Sequence, residues 1–123
     1  MANGDEYIIT HGPWKGWTHR SVDLPSSDAD ADCVPFNTIS RILVGYHELT
    51  VEGLPGDYAL KEQGGIDVKG PHPIIVGGTG ILLAGDGSEG IRTISKNKAL
   101  QVSRGAVATV KGEICYRYEQ VIE

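Results

Sequence analysis

Short apolar runs separated by glycine and proline recur along the whole chain. The longest covers residues 36–52, where apolar and polar positions alternate imperfectly. Alternation with a period of two predicts a strand, because successive side chains of a strand point to opposite faces. Neither face of this run is uniformly apolar, and Gly45 lies in its middle. That position predicts a bend or bulge at which the two faces exchange.

The same pattern predicts seven or eight strands, no helix and a single domain over residues 1–123. The other β-prone segments are residues 7–10, 17–22, 57–63, 66–69, 91–95, 99–102, 106–111 and 113–121. Residues 24–33 read as a loop, and Pro55-Gly56 and Gly70-Pro71 read as turns. An antiparallel chain of this length either closes as a barrel or packs as a sandwich.

A glycine-rich stretch, residues 73–87, occupies the centre of this arrangement. An apolar run enters Gly77-Gly-Thr-Gly80, and a second apolar run leads to further glycines at Gly85 and Gly87. This pattern is typical of two strands joined by a glycine corner. At such a corner, Gly78 or Gly80 would adopt a backbone conformation that is not open to other residues. Barrels use such corners to close. A phosphate-binding loop is disfavoured, because the remainder of GxGxxG and a following Lys-Ser/Thr are missing.

The segment Val76-Gly-Gly-Thr-Gly80, entered from a proline-led apolar run, resembles the signature of dirigent proteins. Allene oxide cyclases, which belong to the same β-barrel group, have a similar Gly-Gly-Ser-Gly segment. The resemblance covers about residues 55–95. It implies an antiparallel, closed β-barrel of about eight strands. Together with the glycine corner it favours the barrel over the sandwich.

Composition narrows the function classes. The 123 residues carry a net charge of −5 with acidic and basic residues interspersed, so no basic stripe is present to bind nucleic acid. No apolar run approaches the roughly 18 residues that span a membrane, and no secretory signal pattern opens the chain. Cys33 and Cys115 lie far apart, and a cytoplasmic chain would keep them as thiols. We therefore expect a cytoplasmic protein without nucleic-acid or membrane partners.

The sequence predicts neither a metal site nor a cofactor. Asp28, Asp30 and Asp32 match the first positions of an EF-hand loop, but Cys33 and Ile39 occupy the positions that need glycine and glutamate. A solvated acidic loop is the simpler interpretation. The four histidines are scattered, and no nucleophile–base motif or P-loop is present.

The resemblance implies catalysis by confinement. Allene oxide cyclases hold a reactive intermediate in an apolar lumen, and dirigent proteins direct the coupling or cyclisation of phenolic intermediates. Confinement lowers the entropic barrier to ring closure, and a few polar groups polarise the substrate. On strands that would line a lumen, the candidate catalytic residues are Tyr46, Glu48, Tyr116 and Tyr118. The candidate substrate-binding residues are Trp14, Trp17, Tyr58, Arg92 and Arg117.

Each candidate also has a structural interpretation. The tyrosines could be packing residues at a barrel end, and Trp14 and Trp17 could form an apolar plug. Arg92 and Arg117 could face solvent. His47 could be a lumen acid or base, or a structural residue.

Three functions follow from these alternatives. The first is a cofactor-free cyclase or isomerase acting on a small apolar or phenolic intermediate, as in natural-product biosynthesis. The second is a non-catalytic binder of such a molecule. The third is a carbohydrate-binding β module similar to jacalin-like lectins, suggested by Gly12-Pro13-Trp14 and favoured if the core is filled and a Trp-Gly loop is exposed. Barrels of the resembled group are commonly homo-oligomers, so a dimer or trimer is expected.

Overall fold

A computed structural model describes residues 2–65, 67–87, 92–94 and 96–122. The protein is all-β: 64% of the described residues are in strands, none is in a helix, and every pairing is antiparallel. The described residues form ten strands, more than the pattern predicted. They are β1 (Glu6–Ile8), β2 (Thr18–Ser27), β3 (Ala31–Val34), β4 (Ser40–Gly53), β5 (Gly56–Glu62), β6 (Asp67–Ile74), β7 (Thr79–Gly85), β8 (Arg92–Ile94), β9 (Leu100–Arg104) and β10 (Ala108–Gln120).

The strands form two sheets. The larger has the order β1-β2-β10-β4-β7, with β8 pairing the first half of β4 beside β7. The smaller has the order β3-β9-β5-β6. The sheets meet on one side where β6 contacts β7, and on the other where β2 contacts β3. Among the described strands, no hydrogen-bonded ladder joins the two sheets, and neither sheet closes on itself.

Aliphatic side chains from both sheets fill the space between them. The larger sheet contributes Ile42, Leu49 and Ile114, which are fully buried. The smaller sheet contributes Leu60 and Val102, also fully buried. Burying a side chain of this kind stabilises the fold by about 1.5–3 kcal/mol. The interior is therefore a packed apolar core.

Arg104, on β9, links the two sheets at one end of this core. Its Nε donates to the carbonyl of Ala29 at 2.7 Å, and one terminal nitrogen donates to the carbonyls of Pro25 and Ala108 at 2.8 and 2.9 Å. The side chain is buried. A buried guanidinium requires several acceptors, and backbone carbonyls from β2, the β2–β3 loop and β10 supply them.

Several predicted boundaries are wrong. The predicted loop at residues 24–33 contains the end of β2 and most of β3. At Pro25, β2 has one extra residue relative to β10. The predicted turn at Gly70-Pro71 lies inside β6. Proline cannot donate a hydrogen bond to a neighbouring strand. It is tolerated at both places because a bulge or an edge strand does not require that hydrogen bond. The predicted strands on either side of Gly112 are one strand, β10, in which Gly112 has φ +152°.

The glycine corner is confirmed, but it does not close a hairpin. Residues 75–78 connect β6 of the smaller sheet to β7 of the larger one, and these two strands are not hydrogen-bonded partners. Gly78 has φ +77°, a conformation that favours glycine, whereas Gly80 has no positive φ. The corner therefore moves the chain from one sheet to the other.

The predicted bulge at Gly45 is also confirmed. On β10, Ile114 and Tyr116 pair with His47 and Val44 of β4, so β4 contains one extra residue between them. Ile42 and Val44 face the core before the bulge, and Leu49 and Val51 face it afterwards. The imperfect alternation of residues 36–52 follows from this exchange of faces.

Candidate functional site

The predicted catalytic residues divide between the two faces of the larger sheet. Tyr116 and Tyr118 lie at one end of the core, edge to face with ring centroids 5.4 Å apart. The Tyr116 hydroxyl donates to Glu6, and the Tyr118 hydroxyl donates to the carbonyl of Pro35. Tyr46 and Glu48 lie on the opposite, outer face and line a different surface. The four residues therefore do not form one site.

The predicted binding residues divide in the same way. Tyr58 is wholly buried, and its hydroxyl donates to the carbonyl of Leu54 at 2.7 Å, which is a structural role. Trp14 and Trp17 lie on the outer face with Tyr46 and do not plug an end of the core. The guanidinium of Arg117 lies over the Trp17 ring, 5.2 Å from its centroid. Arg92 belongs to β8, but its side chain lies outside the described residues.

The outer face of the larger sheet carries a cluster of aromatic side chains. Trp14 contacts Trp17 and Tyr46, with ring centroids 4.8 and 5.9 Å apart. Tyr7 of β1 stacks on His19 of β2 at 4.6 Å. The bulge contributes directly, because it places both Gly45 and Tyr46 on this face. Such rings combine a large apolar area with polar edges, which suits a ligand of mixed polarity.

Two glycines make room for this cluster, and a third makes room for His47. A Cβ at Gly45 would lie 2.8 Å from Cζ3 of Trp14, and a Cβ at Gly87 would also overlap that indole. A Cβ at Gly85 would lie 2.8 Å from Cε1 of His47. In the second part of the glycine-rich stretch, Gly87 thus accommodates the Trp14 indole and Gly85 accommodates the His47 ring.

Tyr46 lies between two adjoining depressions. The larger, which we call the outer groove, has a volume of about 500 Å³ and is lined by Tyr46, His47, Glu48, Ala84, Gly85, Asp86 and Glu113. The second, the aromatic depression, has about 300 Å³ and is lined by Tyr7, Ile8, Ile9, Thr10, His11, Trp14 and Tyr46. Both are shallow and open, so a ligand would lie across the sheet.

A third depression of about 290 Å³ adjoins the outer groove at Glu113. It is lined by His19, Ser21, Val22, Asp23, Lys111, Gly112 and Glu113. Glu48 and Glu113 occupy directly opposite positions on β4 and β10. Together, the described residues that line the three depressions include four carboxylates and one lysine. The electrostatic field of these charges favours neutral or cationic ligands over anionic ones.

A chain of polar contacts runs beneath the junction of the depressions. Nδ1 of His19 lies 2.9 Å from the Tyr46 hydroxyl, and Nε2 of the same ring lies 3.3 Å from Oε2 of Glu113. Burial raises the pKa of Tyr46 to about 12, with smaller contributions from Cys115, Glu113 and Tyr7. Tyr46 therefore keeps its hydroxyl hydrogen at neutral pH. Neither His19 nor Glu113 was singled out from the sequence.

The sequence offered only a weak signal for these residues. His19 lies two positions after Trp17 on a predicted strand, which places both on one face. Its contact with Tyr46 spans 27 residues and depends on the strand order β2-β10-β4. That order results from long-range pairing, which local patterns do not encode.

The two cysteines are buried, and two aspartates of residues 28–32 make polar contacts with neighbouring strands. Cys33 and Cys115 are buried free thiols, and burial raises their pKa values to about 12 and about 11. Asp30 pairs with Lys61 at 3.1 Å, and Asp32 accepts a hydrogen bond from Gln101. Among the residues that the structure describes, no group of three or more His, Cys, Asp or Glu side chains could hold a metal ion.

His47 is buried beside the outer groove. Its Nδ1 lies 3.3 Å from the carbonyl oxygen of Gly45, and it packs against Gly85 of β7. The ring therefore helps to shape the bulge and the floor of the groove.

Comparison with known proteins adds no relative: no family model, curated protein or solved structure matches the chain. The resemblance to allene oxide cyclases and dirigent proteins stays a prediction. No helix in the described ranges is long and apolar enough to cross a membrane.

Proposed function

We propose that the protein is a non-catalytic carbohydrate-binding module whose ligand lies in the outer groove and the adjoining aromatic depression. The observation that carries this proposal is the position of Tyr46, which lines both depressions beside Trp14 and Glu48. Aromatic rings and carboxylates thus share one open surface. Of the three functions predicted from the sequence, this one fits a filled core with a tryptophan loop on the surface.

The chemistry of a sugar ring matches this surface. A pyranose has an apolar face of C–H groups, which stacks on an aromatic side chain, and a rim of hydroxyls, which needs hydrogen-bond partners. Trp14 and Tyr46 offer the rings, and Glu48, Asp86 and Glu113 offer acceptors. Hydrogen bonds to charged carboxylates are roughly twice as strong as those between neutral groups. The acidic lining disfavours uronic acids and sulfated sugars.

An open surface also suits an oligosaccharide better than a small apolar intermediate. A cyclase that confines its substrate needs an enclosed cavity, whereas aliphatic side chains occupy the space between the two sheets. Closure of the sheets into one barrel, a cofactor-free cyclase activity and a phenolic ligand stay predictions. So do cytoplasmic location and a homo-dimer or trimer.

The proposal is tested by titrating isotope-labelled protein with neutral cello-, xylo-, manno- and chito-oligosaccharides, followed by nuclear magnetic resonance. We expect at least one series to shift the signals of Tyr46, Glu48 and Asp86. Trp14→Ala should abolish that binding. Phe36→Ala is the matched control, since Phe36 is half exposed in the segment between β3 and β4 and lines none of the three depressions.

Two outcomes would count against the proposal. Absence of binding by all four series would remove the carbohydrate function. If Trp14→Ala and the unaltered protein bind an oligosaccharide with equal affinity, the binding site does not include the aromatic cluster. A parallel titration with a simple phenol addresses the predicted phenolic ligand, and saturable shifts confined to core residues would favour that ligand instead.

A further inference from the structure

Glu113, His19 and Tyr46 come from three adjacent strands, β10, β2 and β4, and their polar atoms form one continuous line. His19 is the middle member: one ring nitrogen lies 3.3 Å from the Glu113 carboxylate, and the other lies 2.9 Å from the Tyr46 hydroxyl. The stacked Tyr7 ring covers the imidazole and fixes its plane. Each ring nitrogen of His19 therefore faces one polar partner.

The carboxylate dictates which nitrogen of neutral His19 carries the hydrogen. An ionised Glu113 accepts hydrogen bonds and cannot donate them, so the facing Nε2 is the protonated nitrogen. Nδ1 then has a lone pair and accepts the hydrogen of the Tyr46 hydroxyl. In this state the Tyr46 oxygen can only accept a hydrogen bond from a ligand.

Protonation of His19 reverses the contact with Tyr46. Both ring nitrogens then carry hydrogen, and Nδ1 donates to the Tyr46 oxygen instead of accepting from it. The hydroxyl hydrogen of Tyr46 must turn away from the ring. Because Tyr46 lines the outer groove and the aromatic depression, that hydrogen becomes available to a ligand.

We propose that His19 is a positioning residue whose protonation converts Tyr46 from a hydrogen-bond acceptor into a donor for the ligand. The outer groove gives this change its effect. Three of its described lining side chains are carboxylates, which accept hydrogen bonds, and Nδ1 of His47 faces the carbonyl of Gly45. Tyr46 thus supplies the donor that a ligand carbonyl or ring oxygen requires.

The ligand class follows from that requirement. A neutral sugar with an acceptor group, such as the acetamido carbonyl of an N-acetylhexosamine, gains a hydrogen bond only when His19 is protonated. This statement about ligands rests on the proposed function, whereas the hydrogen-bond reversal does not.

The titratable and charged groups on the strands and loop around His19 also bear on its protonation. They are Tyr7 on β1, Arg20 and Asp23 on β2, Tyr46 and Glu48 on β4, Lys111, Glu113, Cys115 and Arg117 on β10, and His11 in the aromatic depression.

Two measurements test the inference. The first uses no ligand: nitrogen chemical shifts of neutral His19 should report the Nε2–H tautomer, and Glu113→Gln should shift the balance toward Nδ1–H. The second measures affinity for chito-oligosaccharides between about pH 5 and pH 8, where imidazoles change charge. We expect roughly fivefold tighter binding at the acidic end, the change that one net hydrogen bond gives. His19→Gln and Tyr46→Phe should remove this pH dependence, and His72→Gln, on the smaller sheet, should retain it.

The outcomes separate the two proposals. If no oligosaccharide binds at any pH, the carbohydrate function fails, and the tautomer measurement still decides the hydrogen-bond reversal. If oligosaccharides bind but His19→Gln keeps the pH dependence, the inference fails and the carbohydrate function stands. A neutral Nδ1–H tautomer in the unaltered protein would also overturn the inference.

Discussion

The indole of Trp14 occupies the space in which a side chain at residue 45 would begin: a Cβ on Gly45 would lie 2.8 Å from Cζ3 and 3.1 Å from Cε3. This contact joins the loop before β2 to the bulge of β4. The aromatic cluster of the outer face therefore depends on a glycine as much as on its rings.

Gly45→Ala should accordingly displace Trp14. We expect the free energy of unfolding to fall by about 1–3 kcal/mol, the usual cost of overpacking, and tryptophan emission to shift to the red. Gly80→Ala is the control, because its Cβ would make only ordinary contact, with the Val51 carbonyl at 3.5 Å. Unchanged stability and emission in Gly45→Ala would show that the indole does not rest there.

The corner at Gly78 gives a second prediction. With φ at +77°, valine at this position would hold a conformation that β-branched residues rarely adopt, although no atom lies within 4 Å of the Cβ position. Gly78→Val should lower the free energy of unfolding by about 1–3 kcal/mol through backbone strain alone. Gly78→Asn should cost less, since asparagine tolerates positive φ. Equal melting temperatures for the two variants would argue against strain.

Arg104 provides a third prediction. Arg104→Lys keeps the charge but loses the fork that reaches three carbonyls, so we expect a loss of about 2–4 kcal/mol in chemical denaturation. Arg41→Lys is the matched control: Arg41 pairs with Glu119 at the surface, where an ion pair contributes at most about 1 kcal/mol. A similar loss in both variants would contradict a special role for the buried guanidinium.

Alkaline pH should destabilise the protein. Burial raises the pKa of Cys33 from 9.0 to about 12, so the unfolded chain releases this proton first as pH rises. The stabilisation is complete below about pH 9 and is lost as pH increases toward 12, by up to about 1.4 kcal/mol per pH unit for one group. Cys115, with a pKa of about 11, contributes in the same direction.

The measurement is urea denaturation at several pH values from about 8 to about 11. Cys33→Ala should show a shallower decline than the unaltered protein, even if it starts from a lower stability because of the lost volume. Identical slopes would show that the thiol ionises equally easily in the folded and unfolded chains.

Local pattern was sufficient to predict the fold class. Alternation, glycine position and turn residues predicted the all-β class, the bulge at Gly45 and the corner at Gly78, because each depends on neighbouring residues. Tertiary context then overrode the local signals at Pro25 and Pro71, which lie inside β2 and β6.

The site was less predictable. Tyr46 and Glu48 were identified as candidates, yet their placement on the outer face depends on strand order and on pairing with β10. Tyr58 and Tyr116 read as equally good candidates and became core residues. Sequence spacing alone does not tell which face of a strand is covered, because one inserted residue reverses the assignment.

The bulge has a consequence for how this sequence can change. Even-numbered residues of β4 face the core before it and odd-numbered residues afterwards. A single-residue deletion at Gly45 or Tyr46 would restore regular alternation and keep the two halves of β4 in phase. Ile42, Val44, Leu49 and Val51 would all still face the core, but only one residue would remain where Gly45 and Tyr46 now both face outward. The number of residues in this segment is therefore fixed by the outer face, which needs both the Gly45 seat of Trp14 and the Tyr46 side chain, and not by the core beneath it.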